Sequence, residues 1–182
     1  MNAIDLLLNR VSYNKLLYPA PQGEQLNNIL QAGCNVPDHG GLMPWRFILF
    51  KDESLTDLGE IFAEAAEQNQ ATDEQIAKAK NMPLRAPLII AVIAKITPEH
   101  KIPESEQLIT AGCSVHAMQM AAVAQGFQGI WRTGAYAYHP YVQQQLKLGD
   151  NEQIVGYLYL GTPDGEVPKK QRPNPAQFVQ YW

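Results

Sequence analysis

The chain has 182 residues, 46% of them hydrophobic and 18% charged, with a formal net charge of −4. That is enough apolar material for one substantial core, and it excludes a wholly disordered chain. The charges form no block of one sign, which argues against nucleic acid or an acidic membrane as a partner.

Two cysteines, Cys34 and Cys113, cannot build a disulfide framework and lack metal-ligand spacing. Both lie in apolar helical contexts, so buried reduced thiols are expected. The opening Met-Asn-Ala-Ile-Asp has no basic stretch before an apolar run, so no secretory signal is expected. Polar residues interrupt every apolar run before about 18 positions, too short for a membrane span. The expectation is a cytoplasmic protein with one domain over residues 1–182.

The first helix is expected over residues 2–9, with Ile4, Leu7 and Leu8 on one face. A second runs from about Gly23 to Asn35, where Pro37 opposes continuation. Pro37-Asp38-His39-Gly40-Gly41 reads as a loop, and Arg46 to Phe50 as the first strand. Ser54 and Thr72 are candidate N-caps for helices over 54–69 and 73–81. Leu88 to Ala94 is continuously apolar, as a strand buried on both faces would be. Glu104 to Gln125 is the longest expected helix, about 33 Å long. Its apolar residues fall into two stripes, Leu108-Ala111-Val115-Met118-Ala122 and Ile109-Cys113-Met120-Ala124. Burial on two sides follows, either inside a core or between a core and a subunit interface. Gly126 ends that helix; short strands follow at Gln128–Trp131 and Ile154–Leu160, with a short helix after Pro140. Strands separated by helices make one α/β arrangement of helices packed on a sheet.

Few local motifs carry chemistry. Arg10-Val11-Ser12 offers a guanidinium and a hydroxyl that together suit a phosphate, although an ordinary solvated arginine is the commoner meaning. Lys169-Lys170-Gln171-Arg172 reads as a solvated charge run unless the fold carries it to Arg10. The glycines of Gly126-Phe127-Gln128-Gly129 close a helix and open a strand, the reverse of a dinucleotide-binding Rossmann loop. The four histidines, His39, His100, His116 and His139, lack zinc spacing, and no nucleophile elbow is present. His116 is expected to be packed or interfacial. His39 most simply stabilises its glycine-rich loop, but polar loop residues also carry function.

Taken in order, several stretches resemble the nitroreductase family, in particular its short YdjA-like bacterial members. They are Leu6-Leu7-Leu8-Asn9-Arg10-Val11-Ser12, Ala32-Gly33 with Pro37-Asp38-His39, and Pro44-Trp45-Arg46-Phe47. The stretches from Ala111 to Gly134 and from Ile154 to Pro163 match more closely still. The resemblance covers almost the whole chain. It implies an α+β fold, a nitroreductase-like α/β/α sandwich with a mixed, largely antiparallel sheet flanked by helices, in an intertwined homodimer. It also implies FMN in two interface clefts, with NAD(P)H as donor and a nitroaromatic, quinone or similar oxidised acceptor in a ping-pong reaction. Arg10, Val11 and Ser12 would meet the phosphate, with Lys170 and Arg172 as further contacts. Asn35 and His39 would come from the partner chain, while Trp131, Arg132 and Thr133 would line the flavin ring. Ala121, Ala122, Val123, Ala124, Gln125 and Gly126 are implied as an NAD(P) contact. No side chain is obliged to act as acid or base. Two positions depart from the family pattern. Val11 replaces a second arginine, and Asp38-His39-Gly40-Gly41-Leu42-Met43 replaces an amide-rich loop. A flavin-carrying protein with little reductase turnover is the alternative.

Overall fold

The computed structural model describes residues 2–182. In chain order it contains α1 (Ala3–Asn9), β1 (Leu16–Leu17), α2 (Gly23–Cys34), β2 (Trp45–Lys51), α3 (Glu53–Gln68) and α4 (Asp73–Lys80). These are followed by β3 (Leu88–Lys95), α5 (Glu104–Ala124), β4 (Gln128–Arg132), α6 (Pro140–Gln145) and β5 (Glu152–Pro163). The sheet order is β1-β5-β3-β2, and β4 pairs with β5. Every pairing among the described residues is antiparallel, so the expected parallel component is missing from the chain's own sheet.

The strand β3 organises the packing. Its residues are at most 1% exposed from Leu88 to Ala94 because it lies between β2 and β5 with helices over both faces. Side chains alternate along a strand. Leu88, Ile90 and Val92 accordingly join Ile29 of α2 and Val115, Met118 and Ala122 of α5. Ile89, Ala91 and Ile93 join Leu55, Leu58 and Phe62 of α3, Ala79 of α4 and Val142 of α6. Two cores on either side of one sheet make the α/β/α sandwich. No helix among the described residues is long and apolar enough to cross a membrane.

Local caps follow the sequence in part. Thr72 caps α4 through a full capping box with Gln75. Ser54 does not cap α3; Asp52 holds the cap position, and the Ser54 hydroxyl bonds back to Lys51 at 2.7 and 2.8 Å. Gly126, at φ +90°, ends α5 as expected. The apolar face of α1 is not buried: Ile4, Leu7 and Leu8 are all exposed. On α5 the first stripe is buried from Ala111 to Ala122 with Leu108 exposed, while the second divides, Met120 being buried and Ile109 65% exposed.

Arg46 on β2 reaches across β3 to Glu152 on β5, with Nε–Oε1 at 2.9 Å and Nη2–Oε2 at 2.5 Å. The Arg46 hydrogen bond holds the Glu152 carboxyl below its ordinary value; burial opposes this, and the Gly149 N–H adds to it. A lowered folded-state pKa means stabilisation that is present above the unfolded value of about 4.3 and lost as pH falls through the folded one. We expect Glu152→Gln to cost about 1–2 kcal/mol at neutral pH and to flatten the acid-side loss of stability. Urea unfolding at pH 7 and pH 3 measures both; parallel loss in variant and wild type would remove Glu152 from the acid response.

Candidate functional site

The segment after α1 leaves the helix in extended form and runs beside β4. The Tyr13 N–H donates to the Gly129 carbonyl at 3.0 Å, and the buried Gln119 amide of α5 donates to the same oxygen at 2.9 Å. Val11 is 2% exposed and joins the core that contains Tyr157 and Tyr159. Alternation then turns its neighbours Arg10 and Ser12 away from that core. Their side chains meet, with Arg10 Nη1 donating to Ser12 Oγ at 3.5 Å.

The tail returns to the same place. Arg172 Nη2 donates to the Arg10 carbonyl. A cavity of about 230 Å³ opens between α1 and the tail, lined by Asn9, Gln128, Lys169, Lys170 and Arg172 and by no carboxylate. The charge run that looked solvated in the sequence therefore ends beside Arg10. Leu6, Leu8, Val123, Val167 and Pro168 complete its lining. Gln128 Oε1 is buried and has no hydrogen-bond partner among the described residues.

A larger cavity of about 500 Å³ lies at the C-terminal end of β4. Trp131, Arg132 and Thr133 line it, together with Phe62 of α3, Tyr136, and Tyr157 and Tyr159 of β5. Phe62 stacks on Tyr136 at 4.5 Å and meets Tyr157 edge-on at 5.5 Å. The Arg132 guanidinium sits 5.9 Å from the centre of the Tyr159 ring. Burial pushes the hydroxyls of Tyr157, Tyr159 and Tyr136 up, so all three stay neutral at ordinary pH. Trp131 points to the other side of β4, where its Nε1 donates to the Val155 carbonyl at 3.3 Å. Glycine at 156 is what admits the ring, since a Cβ there would collide with the indole nitrogen. The walls of this cavity suit a flat aromatic ring.

The loop 37–41 lies elsewhere. The Asp38 carboxylate accepts from the Leu42 and Met43 N–H groups at 3.2 and 2.7 Å, and Thr110 Oγ1 donates to the Pro37 carbonyl at 3.2 Å. His39 contacts not Asp38 but Glu106 of α5, with Nδ1 and Oε2 2.7 Å apart. Thr110 and Ser114 hold this loop and α2, whereas Gly112 and Gln119 face β4. At 100° per residue these two pairs lie roughly 140–180° apart around α5. One flank of α5 thus meets β4 at Gly129 and Trp131, and the other holds the loop that follows α2 and carries His39.

In the segment Ala121 to Gly126, Ala122 is fully buried and Gln125 bonds to the Gln25 and Ala121 carbonyls at 3.1 and 3.0 Å. Only Val123 lines the smaller cavity. Cys34 is exposed and Cys113 half-buried, correcting the expectation of two buried thiols. His116 is exposed on α5 and not packed within the chain, because it falls on the helix face that carries Ile109. Sequence reasoning missed Phe62, Tyr136, Tyr157 and Tyr159. The alternation Tyr157-Leu158-Tyr159 was the available signal for two of them.

The nitroreductase family model matches residues 7–162. The chain is 46% identical to the "Putative NAD(P)H nitroreductase YdjA" of Escherichia coli K12, with 100% of each chain covered. A nitroreductase-like protein from Bacillus cereus shares its fold at TM-score 0.87 and 21% identity, covering 100% of this chain and 96% of that one. The FMN and NADPH-dependent nitroreductase NfnB of a Sphingopyxis strain does so at TM-score 0.78 and 16% identity, covering 100% and 99%. A family match over residues 7–162, with every element of the sandwich in place, makes this chain a member of the nitroreductase family.

Proposed function

We propose that the chain is an FMN-dependent oxidoreductase that takes electrons from NAD(P)H and delivers them to an oxidised aromatic acceptor such as a nitroaromatic or quinone. The observation that carries this reading is the junction at Arg10, where the tail cation Arg172 meets the segment that bonds to β4 at Gly129, the strand whose far end lines the aromatic cavity. FMN has one terminal phosphate, a hydroxylated chain and a flat ring. The cationic corner fits the first. The cavity walled by Phe62, Tyr136 and Tyr159 fits the third.

When bound, FMN supplies the carrier that accepts two electrons from a nicotinamide and gives them to an acceptor. The chain's residues bind and orient. Arg10, Ser12, Lys170 and Arg172 hold the phosphate, and Arg132 sets positive charge beside the ring that gains electrons. Thr133 bounds the ring position, and the Trp131 side chain packs behind it on the other side of β4. The neutral tyrosines keep water and negative charge away from it. The aromatic cavity continues past Met82, Ala135 and Tyr136 into a groove of about 420 Å³, which offers room for the second reactant. One opening then serves donor and acceptor in turn.

The proposal includes a two-chain site. Ile4, Leu7, Leu8 and Ile109 form exposed apolar surface on α1 and α5, more than a lone chain would leave uncovered. A two-fold dimer across α5 would bring the Asn35 and His39 loop of each protomer to the β4 flank of the other.

Four measurements test this. Flavin released by heat from the purified protein and identified by chromatography should be FMN; FAD as the major species would defeat the single-phosphate reading. Arg10→Ala and Arg172→Ala should each weaken FMN binding on the order of ten-fold, as loss of a charge-assisted hydrogen bond requires. An Arg172 variant that binds as well as wild type would return the tail to solvent.

Initial rates at several fixed acceptor concentrations should give parallel double-reciprocal lines. Intersecting lines would mean that both reactants bind together.

For the shared site, an Arg10 variant and a His39 variant that each lack flavin binding are unfolded, mixed and refolded. A mixed dimer concentrates both defects in one site and leaves the other whole, so activity should return. No recovery in mixed dimers verified by mass would place both residues in a site of one chain.

A further inference from the structure

We propose that Glu106 is a positioning residue of the flavin site, fixing the tautomer of His39 so that its free ring nitrogen accepts a hydrogen bond from the bound flavin. The inference rests on the reading that His39 flanks the flavin of the partner protomer. An ionised carboxylate only accepts hydrogen bonds. With Glu106 Oε2 2.7 Å from His39 Nδ1, the proton must therefore sit on Nδ1. With a single ring proton, the lone pair then lies on Nε2. That edge is open, since the His39 side chain is 68% exposed. An acceptor there matches the donors of a flavin, its N3–H and its ribityl hydroxyls.

The loop is built to hold this pair still. The other nearby carboxylate, Asp38, is already committed to the Leu42 and Met43 N–H groups and is not free to turn the ring. Gly40, at φ +77°, lies against the buried Ile102 so closely that a Cβ would collide with its side chain. The residues beneath are fixed in turn, with the Ile102 N–H donating to His100 Nδ1 at 3.1 Å and Gln107 Nε2 to the Ile102 carbonyl at 3.1 Å. Thr110, one helical turn from Glu106, holds Pro37. Glu106 and the His39 loop are therefore presented by one rigid support. A support of this kind orients a ligand-facing histidine as an outer partner orients a metal-bound one.

The experiment reads the ring directly. Long-range 1H–15N spectra of the apo protein at neutral pH should show His39 with the proton on Nδ1. Glu106→Ala should move the population to the Nε2–H form. Glu106→Gln, whose amide oxygen still accepts, should keep most of it on Nδ1. FMN affinity should fall about three- to ten-fold in Glu106→Ala and less in Glu106→Gln. In a His39→Ala background, Glu106→Ala should change affinity no further, because Glu106 acts through the ring. An unchanged His39 tautomer in Glu106→Ala, or equal extra loss in the His39→Ala background, would overturn the proposal. If His39→Ala itself leaves FMN affinity unchanged, it is the placement of His39 at the flavin that fails, and the spectra still report the Glu106 contact separately.

Discussion

Everything in the candidate site hangs on four polar side chains buried along α5. Gln107 bonds to Thr97 and Ile102, Thr110 to Pro37, Ser114 to Gly33 and Gln119 to Gly129. A buried polar group left unpaired costs about 1–3 kcal/mol, so each of these side chains forces its partner into one position. The apolar stripe of Ala111, Val115, Met118 and Ala122 runs between Thr110 and Ser114 on one side and Gln119 on the other, and presses the helix onto β3 and β5. The apolar stripe fixes where α5 lies. The polar side chains fix what lies beside it.

On the proposed reading, that division of labour leaves the single chain with an incomplete site. Thr110 and Gln119 face opposite ways, so the His39 loop and β4 are held apart by the thickness of a helix. No rotation of side chains closes that gap. The proposed dimer would close it, because a two-fold axis beside α5 exchanges its flanks, and the exposed Ile109, Leu7 and Leu8 would give that axis an apolar surface to act on. The proposed dimer thus follows from where the helix puts its hydrogen bonds as much as from its uncovered leucines.

Much of the fold was legible, and the reason is periodicity. β3 announced itself because a strand buried on both faces has no polar positions, and α5 because its apolar spacing persists over six turns. Thr72 and Gly126 were legible as caps, since each performs a local task that its neighbours cannot alter. Ser54 was misread because its hydroxyl found Lys51 first, a contact that depends on how β2 ends. The site was legible only through resemblance. Four of its aromatic walls come from α3, β5 and the turn at Tyr136, and no spacing rule joins residues 62, 136, 157 and 159. The exposed Cys34 was misread for a related reason: helical apolar context says that a helix is buried, but only the packing says on which side.

The family's second arginine is the last point at which local sequence misleads. Read along the chain, Val11 simply removes a cation from the phosphate corner. In the structure Val11 is the residue that pins this segment, buried against the core with Tyr157 and Tyr159, and its burial is what turns Arg10 and Ser12 outward. An arginine placed at position 11 of this chain would have to find its own partner or leave that core. The missing charge comes instead from the tail, where Arg172 donates to the carbonyl of Arg10 itself and Lys170 lines the adjoining cavity. One position supplies the anchor and a distant segment supplies the charge. A tail with almost no buried residue of its own therefore has a reason to lie where it does.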